Sequence, residues 1–187
     1  MRATRNTAKL KRATEEFSKA TEIDPMFALA WVGVADSHSL LLGRRDVRDE
    51  DVLPIIEDAV KNALAIDNGL GEAYASLANI HTYYNRKGEA ETAYQKAIQL
   101  SPNYATAYYR YSGFLGKYPL RIQESIDLMQ KAAKLDPRSR IIGLNLGRFY
   151  HSRGLYTLAE RQYRKVIELD PDFAAAHHYL SFLYLFD

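Results

Sequence analysis

The sequence predicts an all-α fold, a stack of antiparallel helix pairs, on three observations. A short motif of an aliphatic residue, Asp or Ser, then Pro recurs at Ile23-Asp24-Pro25, Leu100-Ser101-Pro102, Leu135-Asp136-Pro137 and Leu169-Asp170-Pro171, with Ile66-Asp67-Asn68 as a fifth, Pro-less copy. Small and bulky residues return in one register around each copy. Between copies, residues such as Leu77, Ile80 and Tyr84, or Tyr94, Ala97 and Ile98, fall at three- and four-residue spacing, which draws one apolar stripe along a helix.

The elements follow in order. Successive motifs lie 43, 34, 35 and 34 residues apart. Each Pro cannot continue a helix and disfavours helical geometry in the residue before it, so it punctuates. Five places before the Pro position stands a small residue, Ala20, Ala63, Ala97 or Ala132, with Val166 as the exception. Three places earlier stands a bulky one: Phe17, Val60, Tyr94, Met129 or Tyr163. Four places earlier still, Ala13, Ala90, Ser125 and Ala159 are small where two helices should touch, and Ile56 is not. After each motif a second aromatic-type position holds Trp31, Tyr74, Tyr108 and His177, and Gly143 breaks the pattern. Asn85 and Gly154 mark turns inside units, because both residues tolerate a left-handed backbone. These rules place helices at 7–22, 27–42, 50–66, 71–84, 88–100, 105–117, 121–134, 140–152, 156–169 and 174–186.

The register over essentially the whole chain resembles the tetratricopeptide repeat family, whose period is about 34 residues. The resemblance implies an α-α superhelix, a right-handed solenoid. It divides residues 1–187 into the second helix of a truncated repeat (7–25), a repeat with a nine-residue insertion (28–70), three repeats (71–104, 105–139, 140–173) and the first helix of a truncated repeat (174–187). The insertion, running from Gly43 to Asp51, reads either as a longer solvated turn or as a partner-contacting protrusion. A solenoid normally ends in a polar cap, yet the last turn here is Phe182-Leu183-Tyr184-Leu185-Phe186. The expectation is therefore a segment of a longer polypeptide that self-associates as a homodimer through 174–187, using Leu183 and Phe186 among its apolar residues.

Composition narrows the function classes. The 187 residues carry 25 Lys+Arg and 23 Asp+Glu, a formal charge of +2, so no global field drives the chain onto nucleic acid or membrane. A basic stretch, Arg2, Arg5, Lys9, Lys11 and Arg12, lacks interleaved aromatics and reads as a linker or solvated helix face, so no nucleic-acid partner is expected through this segment. No apolar run approaches the roughly 18 residues that span a bilayer, and no membrane insertion is expected. Cysteine is absent, which removes disulfides, thiolate metal sites and cysteine nucleophiles. Either redox compartment suits such a chain; the cytoplasm is the expected place, with the periplasm left open.

Candidate chemistry is sparse. No His-Glu-x-x-His, no phosphate-binding Gly loop and no Gly-x-Ser-x-Gly elbow occurs. His38 and His81 occupy packing positions, and His177 and His178 point about 100° apart on a helix, too far to share a metal easily. The reading is no enzyme, no catalytic residue, no cofactor and no metal.

What the resemblance implies instead is a groove lined by the first helix of each pair. Its exposed positions map to Asp36, Ser76, Asn79, Tyr83, Tyr109, Arg110, Asn145, Arg148, His178 and Tyr179, with Glu72, Lys117, His151 and Phe182 beside them. Aromatics can bury apolar side chains while Asn and Arg hold carbonyls or carboxylates, so the set suits an extended peptide. Some family members clamp a peptide's C-terminal carboxylate through Lys, Asn and Arg. The matching residues here are Val32, Asp36, Ser76, Thr106 and Arg110, of which only Arg110 fits. The leading reading is a non-enzymatic protein- or peptide-binding scaffold. The run from Lys11 to Asp36 and the later Asp136-Pro137-Arg138-Ser139 are also similar to repeat regions of bacterial signalling proteins. That similarity implies the alternative, a regulatory or self-association module of a transcription regulator, nucleotide cyclase or kinase.

Overall fold

The computed structural model describes residues 2–186, with side-chain surroundings for residues 9–185. The side chains of Arg2, Arg5 and Phe186, and residue 187, lie outside that description. The described residues form ten α-helices and no strand: α1 (Arg2–Ile23), α2 (Ala28–Ser39), α3 (Asp49–Ile66), α4 (Gly71–Tyr83), α5 (Lys87–Leu100), α6 (Ala105–Leu115), α7 (Ile122–Leu135), α8 (Arg140–His151), α9 (Tyr156–Leu169) and α10 (Ala174–Phe186). The all-α helix-pair fold is as expected. The main shift is that α1 begins at Arg2 instead of residue 7, so the basic stretch is helical.

The recurring Asp has a local cause. Asp24, Asp67, Asp136 and Asp170 each accept a hydrogen bond at Oδ1 from the backbone N–H two residues on, of Met26, Gly69, Arg138 and Asp172. This Asx turn reverses the chain between helices without help from distant residues. In the remaining copy the Ser101 hydroxyl instead donates to Glu72 Oε2 at 3.0 Å. The aromatic-type position after the motif also has a job. Trp31 Nε1–H donates to the Pro25 carbonyl at 2.9 Å, and His177 Nε2 lies 2.7 Å from the Pro171 carbonyl. Within pairs, Asn85 and Gly154 adopt φ of 56° and 68°, which confirms both as left-handed turn residues.

The chain divides into two compact units, Met1–Pro102 and Asn103–Asp187. In the first, α2, α3 and α4 pack around Val34, Leu41, Val52, Ile56, Val60 and Ile80, all buried, with Leu10 of α1 against them. The insertion contributes to this core. Val47 packs against the cluster, so the segment is more than a solvated turn. It also lengthens α3 to 18 residues, against 14 in α5, by starting the helix at Asp49. Asp49, Glu50 and Asp51 fill the first turn of α3, where carboxylates favour the positive end of the helix dipole.

In the second unit, α6 to α10 bury Leu115, Met129, Ile142, Leu146, Tyr163 and Val166. Ser112 and Ser125 are fully buried, and each donates its hydroxyl to the other's backbone carbonyl at 2.7 Å. Ser125, one of the small residues expected where helices touch, is therefore also half of the polar pair that locks α6 to α7.

One expectation is corrected in α10. Leu183 is 3% exposed, so it belongs to the core and not to a sticky outer face. It holds the tenth place of its unit, as do Ile80 and Phe114, which are buried too. Tyr184 is half-exposed but engaged: its hydroxyl donates to Glu160 Oε1 at 2.5 Å and accepts from Arg164 at 2.8 Å. The bond from Tyr184, joined by one from Arg164 Nε to the same Glu160 Oε1 at 2.8 Å, holds the Glu160 carboxyl below the usual carboxylate range.

Candidate functional site

The ten residues expected on the groove fall into both units, and the structure treats them differently. In the first unit Ser76 is 1% exposed, and its hydroxyl is already engaged inside the fold. Its hydroxyl donates to Asp36 Oδ1 at 2.6 Å, joining α4 to α2. Tyr83 is exposed, yet its hydroxyl donates to Asp49 Oδ2 at 2.9 Å, tying the end of α4 to the start of α3. That carboxylate raises the Tyr83 phenol above its ordinary value. Asn79 is partly buried on the same helix.

In the second unit the expected residues are drawn together. Asn145 Nδ2 donates to the Ile141 carbonyl at 2.8 Å and reaches the Tyr109 hydroxyl at 3.4 Å. Asn145 Oδ1 accepts from Arg148 Nη1 at 3.0 Å. The Arg148 guanidinium lies over the Tyr179 ring, 5.1 Å from its centroid, a cation–π arrangement. His178 meets Tyr179 edge-on with ring centroids 5.4 Å apart. Tyr109, Asn145, Arg148, Tyr179 and His178 thus form one connected set across α6, α8 and α10. Arg110 is partly buried on α6.

Part of that set lines an open pocket of about 380 Å³ over α9. Asn145, Arg148 and Phe149 of α8, Tyr179 and Phe182 of α10, and Tyr163 of α9 supply its walls. His151 sits beside Phe182, with ring centroids 5.8 Å apart. Sequence reasoning assigned Tyr163 to the core, which it joins at 0% exposed, but missed that its hydroxyl is buried with no hydrogen-bond partner. Burial pushes its phenol up to about 12, the nearby Arg148 charge opposing the rise. The group is therefore an O–H donor at neutral pH. Gly147 makes room for the ring: a Cβ there would lie 2.5 Å from Tyr163 Cε1. That glycine, in a helix interior where it costs about 1 kcal/mol against Ala, was the available signal.

The family model described as tetratricopeptide repeat matches residues 71–104 and 144–173. These are tetratricopeptide repeats. The human Tetratricopeptide repeat protein 6 is 27% identical over 137 residues, 73% of this chain, and the chain spans only 24% of that relative's length. Among solved structures, the tetratricopeptide-repeat protein TTC0263 of Thermus thermophilus matches with a TM-score of 0.76 at 16% identity, over 98% of this chain and 94% of that one. YrrB, described as a TPR protein with an unusual peptide-binding site, matches with a TM-score of 0.55 at 20% identity, over 95% and 86%. At such identities the likeness establishes the fold. Among the described residues, no group of three or more His, Cys, Asp or Glu side chains could hold a metal ion, and no helix is long and apolar enough to cross a membrane.

Proposed function

We propose that this chain is a non-enzymatic protein-interaction scaffold that receives an extended peptide along the face formed by α8 and α10. The observation that carries the reading is the convergence of Asn145, Arg148 and Tyr179 on one open pocket with aromatic walls. Ring faces supply apolar contact at low entropy cost, while amide and guanidinium donors can hold a peptide's carbonyls and carboxylates. The fold shared with a protein described as having a peptide-binding site supports the same reading.

The test is selection of binding peptides from a random-sequence display library on the immobilised chain. Enriched peptides should lose roughly 1–3 kcal/mol of affinity on Arg148→Ala or Tyr109→Ala, the range of interface anchors. Lys131→Ala in α7 and Lys165→Ala in α9, both exposed away from the pocket lining, should leave affinity unchanged. Peptides that bind Arg148→Ala fully and Lys131→Ala not at all would contradict the assignment.

A further inference from the structure

We infer that the pocket between α8 and α10 is a subsite for one acidic side chain, an Asp or Glu within the bound peptide, held between the Arg148 guanidinium and the Tyr163 hydroxyl. The inference rests on the peptide-binding reading and names what one part of that site selects.

Three observations converge. Tyr163 is one of the residues that line the pocket, and its hydroxyl is buried and makes no internal hydrogen bond. Buried polar groups are rarely left without a partner, and leaving one so costs about 1–3 kcal/mol, so an unpartnered donor beside an open pocket calls for an acceptor from outside. Arg148 is exposed and bonds Asn145 through one of its five N–H groups, with its plane supported by the Tyr179 ring. It lies close enough to Tyr163 for its charge to act on the phenol.

The two donors define the ligand's chemistry. A cation is excluded, because Arg148 already supplies positive charge and Tyr163 stays protonated. A neutral amide would satisfy the phenol but leave the guanidinium's charge unmatched. A phosphate dianion would find one fixed cation and one neutral donor, with Phe149 and Phe182 against its remaining oxygens. A carboxylate has two acceptor oxygens, one for each donor, and brings methylene groups that suit the ring walls. Charge-assisted bonds of this kind are roughly twice as strong as neutral ones.

The experiment is a two-dimensional NMR titration of the full chain with three synthetic probes. These are N-acetyl-Phe-Glu-Phe-amide, its Gln counterpart, and N-acetyl-Phe-Phe with a free C-terminal carboxylate. The Glu peptide should shift amides at 145–152 and 179–182 and bind at least fivefold more tightly than the Gln peptide. Arg148→Gln should erase that preference. Tyr163→Phe, which keeps the ring and the fold, should reduce it by about half or more without lowering the melting temperature. The free-acid dipeptide should match the Gln peptide; preference for it would reassign the pocket to a chain end and overturn the side-chain proposal. Equal affinity for Glu and Gln peptides, or a Glu preference kept in Arg148→Gln, would overturn it while leaving peptide binding intact. No binding by any probe would also overturn it, and the display selection judges the wider reading on its own.

Discussion

A Cβ built on Gly143 would lie 2.8 Å from Cγ2 of Val166, so these two positions have exchanged bulk. Elsewhere the same two places hold an aromatic and an alanine, as in Trp31 with Ala63 and Tyr108 with Ala132. Trp31 and Ala63 share one core cluster in the first unit. The two departures from the repeat register are thus a single compensated change.

The exchange predicts a reversal of sign. Gly143→Ala alone should destabilise the chain, since overpacking costs about 1–3 kcal/mol against a helix-propensity gain of about 1 kcal/mol. In a Val166→Ala background the clash is gone, and Gly143→Ala should be neutral or stabilising by up to about 1 kcal/mol. Urea denaturation of the four proteins measures the coupling; the same effect in both backgrounds would show that the two side chains do not share the space.

Tyr163 predicts a pH dependence in the alkaline range. Its folded phenol is pushed up to about 12, from an ordinary value near 10. A group whose folded value is raised keeps its proton more readily when folded, so its stabilisation is complete below pH 10 and is lost as pH rises toward 12. With solvent in the open pocket screening part of the effect, the loss amounts to about 1–2 kcal/mol. Unfolding at pH 9 and at pH 11.5 should show a smaller loss in Tyr163→Phe than in the parent chain. Tyr83, Tyr84 and Tyr184 are raised as well, so only the difference between the two proteins isolates Tyr163. An identical alkaline loss in both would contradict the burial argument.

At pH 7 the same substitution removes a buried hydroxyl that has no partner. Tyr163→Phe should therefore leave stability unchanged or raise it by about 1 kcal/mol in calorimetry, where removing a well-bonded tyrosine hydroxyl would lower it.

Ala97 is fully buried in α5, and its carbonyl would lie 2.7 Å from a Cβ on Gly71, so α4 and α5 approach closely there. Ala97→Leu should cost about 1–3 kcal/mol. Hydrogen exchange should speed first within 71–100 and least within 156–169, because repeat stability is local. Uniform loosening would argue for one global cooperative unit.

The helix pairs were legible because two signals agree: a turn closed by its own Asp side chain and an apolar stripe at helical spacing. Asp136, for example, needs no distant partner to accept from the Arg138 N–H. The site was legible only in part. The register puts Ser76 on the groove side, but its hydroxyl is taken up by Asp36 one repeat earlier, a pairing that no single-helix pattern encodes. Tyr83 is captured by Asp49 because the insertion lengthens α3, a partner that the regular repeat lacks. Leu183 was misread because α10 is apolar on most sides, so periodicity could not choose its inner face; its repeat position could. Tyr163 looked like core alone because a pattern of sizes does not report where a hydroxyl finds its acceptor.

The central claim is that the face of α8 and α10 receives peptide, and hydrogen–deuterium exchange tests it most directly. With a display-selected peptide bound at saturation, exchange should slow across 141–152 and 175–185 and stay unchanged on the outer faces of α7 and α9, at 123–131 and 156–168. Protection confined to α7 and α9, with α8 and α10 unaffected, would contradict it.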